Sequence, residues 1–219
     1  MGFIGVQPAS VPLTADDVPD LPATKITSGT FPALNGSNLT SLTAGNLTGT
    51  LPAISGANLT GISAGITEAD SYRVTTSFTS DANPISSNWE RDDTNFDKIG
   101  TGLSESSGVF SFPSTGIYLI EQTWRVLYNG NSRYNEGEIQ ITTNNGSNWN
   151  TRASGSAFVQ QTDGNIAYNT WTTSCMVDVT DISNVKFRII INVEDNAVTT
   201  EGNSNDNRTF FTCLRLGDT

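Results

Sequence analysis

Two tandem copies of one pattern, offset by twenty positions, constrain this chain more than any other feature. Residues 28–45 read SGTFPALNGSNLTSLTAG and residues 48–65 read TGTLPAISGANLTGISAG, identical at ten of eighteen positions. Large apolar residues fall at Phe31, Leu34, Leu39, Leu42, Leu47, Leu51, Ile54, Leu59, Ile62 and Ile66, at spacings of three, five and four. Neither a helical nor a strand period fits them, and the Gly and Pro in each copy oppose a helix. One such ribbon has an apolar stripe and nothing of its own to cover it. Repeats of this kind gain stability by stacking or by association. Residues 23–66 are therefore expected to form an extended trimeric stalk with these ten residues at its interface. Whether the strands intertwine or run side by side stays open.

Residues 1–22 contain Pro8, Pro12, Pro19 and Pro22. Proline fixes φ, removes a donor and pushes the preceding residue toward extended geometry. An extended arm follows. Its apolar residues, among them Phe3, Ile4, Val6, Val11 and Leu13, are too scattered for a core. A plain tail has no need of so many, so the arm reads as an anchor packed on another protein.

Residues 67–219 read as all-β. Candidate strands cover 72–79, 108–112, 117–128, 134–143, 151–160, 167–179, 185–193 and 208–216. Tyr118, Ile120, Trp124, Val126 and Tyr128 share one face, with Gln122 the misfit. Trp171, Thr173, Cys175, Val177 and Val179 share another, and Phe187, Ile189, Ile191 and Val193 a third. Polar turn clusters such as Asn129-Gly130-Asn131-Ser132 separate the runs. Strands with one apolar face each indicate two packed sheets.

Composition narrows the function. The chain has no histidine, which removes Ser-His-Asp and Cys-His catalysis, His-ligated zinc and histidine pH switches. Cys175 and Cys213, each in a β-like run, read as buried free thiols ahead of a disulfide. The net charge is −11 with no basic patch, so no nucleic-acid partner is expected. No apolar run approaches the roughly 20 residues of a membrane span, so no membrane insertion is expected. The start, MGFIGVQP, lacks the basic and apolar regions of a secretory signal. Nothing shows the paired carboxylates of a glycosidase or a phosphate-binding loop. No enzyme activity and no cofactor are expected. Glu194, Asp195 and Asp206 offer oxygen ligands to calcium, but without EF-hand spacing, so no metal is expected. Trp149 and Tyr168, each in an amide-rich run, are the candidate receptor-contact residues, since rings stack while amides make directional hydrogen bonds.

The run Gly108-Val109-Phe110-Ser111-Phe112-Pro113-Ser114-Thr115-Gly116-Ile117-Tyr118-Leu119-Ile120 resembles the signature of the C1q/TNF-like jelly roll. Residues 89–97 resemble that family's lead-in, and Arg208–Leu216 its closing core strand. The match spans roughly residues 70–217. It implies a C-terminal β-sandwich head, at 67–219, with Phe110, Phe112, Tyr118, Ile120 and Trp124 in its core. It also implies a homotrimer, because C1q-like heads associate about a threefold axis through apolar aromatic faces. The repeat, above all Leu51-Pro52-Ala53-Ile54-Ser55-Gly56-Ala57-Asn58-Leu59-Thr60-Gly61, resembles the stalk repeats of phage tail-fibre and head-fibre proteins. The arm is similar to N-terminal attachment segments of marine phage fibres. Together these resemblances imply a structural fibre or spike on a virion surface, assembled in the host cytoplasm. The arm would dock on capsid or tail proteins, and the head would meet a host glycan or protein. Alternatives are a capsid decoration (cement) protein with no receptor, or a cellular C1q-like lectin or adhesin.

Overall fold

The structure is a computed structural model that describes residues 65–94 and 96–219. The arm residues Phe3, Ile4, Val6, Val11 and Leu13, and the stripe from Phe31 to Ile62, lie outside the described residues. Of the stripe, Ile66 alone falls within them, and it is 48% exposed.

All regular structure among the described residues is strand: β1 (Ala69–Val74), β2 (Thr76–Thr79), β3 (Trp89–Arg91), β4 (Lys98–Ile99), β5 (Ser104–Ser106), β6 (Val109–Ser111), β7 (Gly116–Tyr128), β8 (Ser132–Thr142), β9 (Asn150–Val159), β10 (Ala167–Val179), β11 (Lys186–Val193), β12 (Thr199–Asn203) and β13 (Phe210–Gly217). All pairings are antiparallel. In sheet I, β7 lies between β10 and β13, β13 pairs β1, and β1 pairs β3 and β4; β12 bridges the far end of β7 to β2. Sheet II runs β5-β6-β11-β8-β9. Strands β10-β7-β13-β1 thus face β9-β8-β11-β6, the order of a jelly roll.

The long strands follow from alternation. In β7, Tyr118, Ile120, Gln122, Trp124 and Val126 are all buried while the odd-numbered residues face outward. Gln122, the misfit, is fully buried with the rest, and its amide donates to the Thr123 carbonyl at 2.7 Å. Phe110 sits at the centre of the sandwich, 4.7 Å from the Phe211 ring, 5.0 Å from Phe187 and 5.2 Å from Tyr72. Phe112 lies 4.7 Å from Tyr118. Such pairs add about 0.5–1.5 kcal/mol each beyond their burial.

Two glycines decide how closely the sheets approach. Trp124 and Trp171 are register partners on sheet I, stacked with centroids 5.7 Å apart and planes 13° from parallel. Opposite them on sheet II, Gly137 and Gly155 are register partners. A Cβ at Gly137 would lie 2.2 Å from the Trp124 ring, and one at Gly155 would lie 3.1 Å from Trp171. The indole pair therefore fills the space that two side chains would otherwise occupy.

The β5–β6 hairpin closes through Ser107 (φ 52°) and Gly108 (φ 79°). Two consecutive positive φ values make the two-residue primed turn that matches strand twist. This fixes the first glycine of the motif that begins at Gly108.

Among the short strands, β3 falls in the 89–97 lead-in, whereas β4, β5 and β12 have no counterpart in the sequence-based assignment. β3, β4, β5 and β12 span two to five residues, too few to show a period, and β12 (TTEGN) carries no apolar residue at all. The run expected at 72–79 divides at Thr75 into β1 and β2. Ile190 is buried although it lies on the polar side of β11, with Arg188 and Asn192 on either side of it.

Candidate functional site

The sandwich presents two outward faces, and each mixes polar rows with a few exposed apolar groups. On sheet I, the odd residues of β7 share a face with Tyr168 and Met176 of β10 and with Phe210 and Leu214 of β13. One register row reads Ala69, Leu214, Leu119, Met176 across four strands. Met176 is 67% exposed and Tyr168 54%, and Leu119 and Leu214 are half-buried. The chain enters the head beside this face, where Gly65 and Thr67 adjoin Arg215 and Leu216.

At the other end of the same face the chemistry is ionic. Arg73 is only 1% exposed; its Nη1 donates to Asp92 at 2.9 Å and its Nε to Glu90 at 3.2 Å. Asn207 donates to the other Asp92 oxygen at 3.1 Å. Glu201, also buried, is flanked by Arg125 and Arg208. The Arg125 Nε lies 2.7 Å from a Glu201 oxygen but off the hydrogen-bond line, so that contact is an ion pair alone. Arg125 also covers the Tyr168 ring at 5.1 Å. Deeper in the sandwich, Asp70 takes a forked contact from Arg91 at 3.0–3.2 Å and accepts the Leu103 N–H at 2.7 Å. The Asp70 bond raises the Arg91 pKa.

On sheet II the outward rows around β6 and β11 are mostly hydroxyls, amides and charges, while Tyr134 and the 60% exposed Phe158 face outward on β8 and β9. Ser104, Ser111 and Lys186 form one row, and Ser106, Val109, Arg188, Gln140 and Thr151 the next. Glu138 lies one row further. Gln140 accepts from Arg188 Nε and Nη2 at 3.0 and 2.8 Å, and donates to Glu138 at 2.9 Å. Thr151 and Asn192 donate to the same carboxylate at 2.6 and 3.2 Å. The β8–β9 loop lays Trp149 over the Arg188 guanidinium, 4.5 Å from the ring centroid.

Trp149 and Tyr168 therefore do not form one receptor surface. Trp149 belongs to the outside of sheet II and Tyr168 to the outside of sheet I, because β9 and β10 lie in different sheets. The calcium candidates do not converge either. Glu194 pairs with Arg133, which holds its pKa below the usual carboxylate range. Asp195 accepts the Tyr128 hydroxyl at 2.5 Å, which lowers its pKa too. Asp206 pairs with Arg208 at 3.2 Å. Among the described residues no group of three or more His, Cys, Asp or Glu side chains could hold a metal ion.

Both cysteines are free thiols. They face the core on either side of Ile120, as register partners of that residue from β10 and β13. Burial pushes the Cys175 pKa up to about 11 and that of Cys213 well above its ordinary value. The core residues Phe110, Phe112, Tyr118, Ile120 and Trp124 are all at most 3% exposed.

No protein-family model and no curated protein matches the sequence. Solved structures do match the head. A TNF structure, Eiger from S. frugiperda, aligns with a TM-score of 0.52 over 69% of this chain and 93% of its own, at 11% identity. Murine APRIL at pH 5.0 aligns at 0.48 over 68% and 98%, at 14% identity. The head has a C1q/TNF-like jelly-roll fold. Sequence reasoning reached that fold through the Gly108–Ile120 run. It missed the outward row through Met176 and the Glu138–Gln140–Arg188–Trp149 chain, because both depend on which strands become neighbours.

Proposed function

We propose that the protein is a non-enzymatic, homotrimeric structural subunit of a virion surface. The arm anchors it to capsid or tail, the repeat forms a three-chain stalk, and the head is displayed for attachment to a host surface. The observation that carries this reading is the outward row Ala69, Leu214, Leu119, Met176, ending in a 67% exposed methionine. Ala69 is itself 3% exposed and Leu119 and Leu214 are half-buried, so Met176 is the open end of the row, and an open apolar end continuous with such a row suits an association surface. The row lies on the sheet whose strand β13 adjoins Gly65 and Thr67.

Two further features support the reading. The repeat stripe at 31–66 needs partner chains to cover it. The chain lacks histidine, and both thiols are protonated at neutral pH, which leaves them poor nucleophiles. Three heads on one fibre, and many fibres on one particle, turn weak single contacts into firm attachment.

Solution mass tests the assembly. The expected value is three times the 23.4 kDa of one chain, and a single-chain mass sinks the proposal. Deletion of residues 70–219 from the particle tests the role. Intact particles that no longer adsorb are expected, whereas normal adsorption removes the attachment function.

A further inference from the structure

The outside of sheet II carries a feature that display alone does not require. Six of the eight arginines sit in salt bridges with carboxylates: Arg73, Arg91, Arg125, Arg133, Arg208 and Arg215. Among the described residues, no carboxylate lies within salt-bridge distance of Lys186 or Arg188. These two cations stand two residues apart on the same face of β11. Lys98 and Arg152 also lie in no salt bridge among the described residues, but only Lys186 and Arg188 stand together on one strand face.

Lys186 lines a groove of about 390 Å³ with Ser104, Ser106, Val109, Ser111, Asn145, Gly146 and Trp149, and Arg188 lies outside that lining, against the Trp149 ring. Three hydroxyls can each donate and accept, and the Asn145 amide adds both functions. Trp149 supplies an apolar ring. Lys186 gives one hydrogen bond to Asn145 at 2.5 Å and keeps its other two donors. Arg188 gives Nε and Nη2 to Gln140 and keeps Nη1.

The cationic end is held in place from behind. Glu138 fixes Gln140, Gln140 fixes Arg188, and Arg188 stacks on Trp149. The Glu138 oxygens are already taken by Gln140, Thr151 and Asn192, so this carboxylate serves as a brace. Burial lowers the Arg188 pKa while nearby Glu138 opposes that shift, so the guanidinium is partly desolvated and stays charged.

We propose that this groove binds an anionic saccharide: the sugar ring stacks on Trp149, its hydroxyls bond the serines and Asn145, and its acid group meets Lys186 and Arg188. A ring face needs an aromatic platform, alternating hydroxyls need two-way partners, and a carboxylate or sulfate needs unneutralised cations. The groove offers all three within one patch. It opens from sheet II, on the opposite side of the sandwich from the apolar row, so a trimer built on sheet I leaves three such grooves facing outward.

The inference rests on the display reading for its biological role, but its binding step is tested separately. The full chain is titrated by calorimetry with an oligogalacturonide, a sulfated galactose oligomer and a neutral galactose oligomer. The expected result is saturation by at least one anionic oligomer with Kd at or below about 1 mM, and binding of the neutral one at least about tenfold weaker. Which anionic oligomer binds tells a carboxylated source from a sulfated one. Trp149→Ala, Lys186→Gln and Arg188→Gln are each expected to weaken binding by about tenfold or more. Gln140→Ala, a change to the positioning residue, is expected to weaken it less. Circular dichroism confirms that each variant is folded.

Absence of saturation by both anionic oligomers overturns the proposal, as does equal binding of the neutral one. Full affinity in folded Trp149→Ala and Arg188→Gln proteins overturns it as well. A trimer that binds no saccharide sinks this inference alone, and a single-chain protein that binds one sinks the trimeric fibre alone.

Discussion

The two outward faces of the sandwich are built on the same pleat and differ in where their apolar and cationic groups sit. Sheet I turns Leu119, Leu214 and Met176 outward in one row, carries the exposed Glu121 and Asp178 on the same face, and buries Arg73 against Asp92 at its end. Sheet II turns out Ser104, Ser106, Ser111 and Gln140 and leaves Lys186 and Arg188 without carboxylates. A face that other copies of the chain cover must spend its polar groups on internal partners, because burial of an unpaired one costs several kcal/mol. A face that stays in water has no such constraint and can hold its donors in reserve. The proposed division gives assembly to sheet I and recognition to sheet II.

The largest test of that division is Leu119→Asp combined with Met176→Asp. It is expected to abolish the trimer outright, because like charges would meet at the covered face. Native mass spectrometry reads the outcome, and an unchanged trimer would detach assembly from sheet I. Next in size is Arg73→Met, which leaves Asp92 and Glu90 without their cation. Loss of one partner from a buried pair costs about 3–5 kcal/mol, so the midpoint of chemical unfolding should fall sharply. A small shift would mean that this end of sheet I is wetter than its burial implies. Gly137→Ala should cost less, about 1–3 kcal/mol from overpacking, because the added methyl meets Trp124 at 2.2 Å. A changed near-ultraviolet dichroism signal from the indole pair should accompany it. Smallest is Ser154→Ala, on the open face of sheet II, expected to stay within about 0.5 kcal/mol of the parent. A larger loss would show that this face also supports the fold.

The sequence made the long strands legible, since in β10 Trp171, Cys175, Val177 and Val179 recur on one side, although Tyr168 and Met176 break the pattern on the other. Gly108 and Phe110 likewise announced a turn and a core ring. Short strands escaped because β4 has only two residues, which carry no period. The interior glycines Gly137 and Gly155 were a usable signal, since glycine within a strand often marks close approach of another group. Which group approaches depends on the pairing of Trp124 with Trp171 across β7 and β10, two strands some fifty positions apart. The site followed the same rule. Trp149 and Tyr168 were visible as aromatics in polar runs, but their separation onto different sheets is a property of topology, which no local pattern encodes.

The stacked indoles over the paired glycines bear on how such a head can change over generations. The fit is made by four interior residues at the centre of the sandwich, two flat and two bare. None of them contributes to either outer surface. Substitutions in the Ser104–Ser111 hairpin or at Lys186 can therefore change the outer surface of sheet II while the spacing of the sheets stays the same.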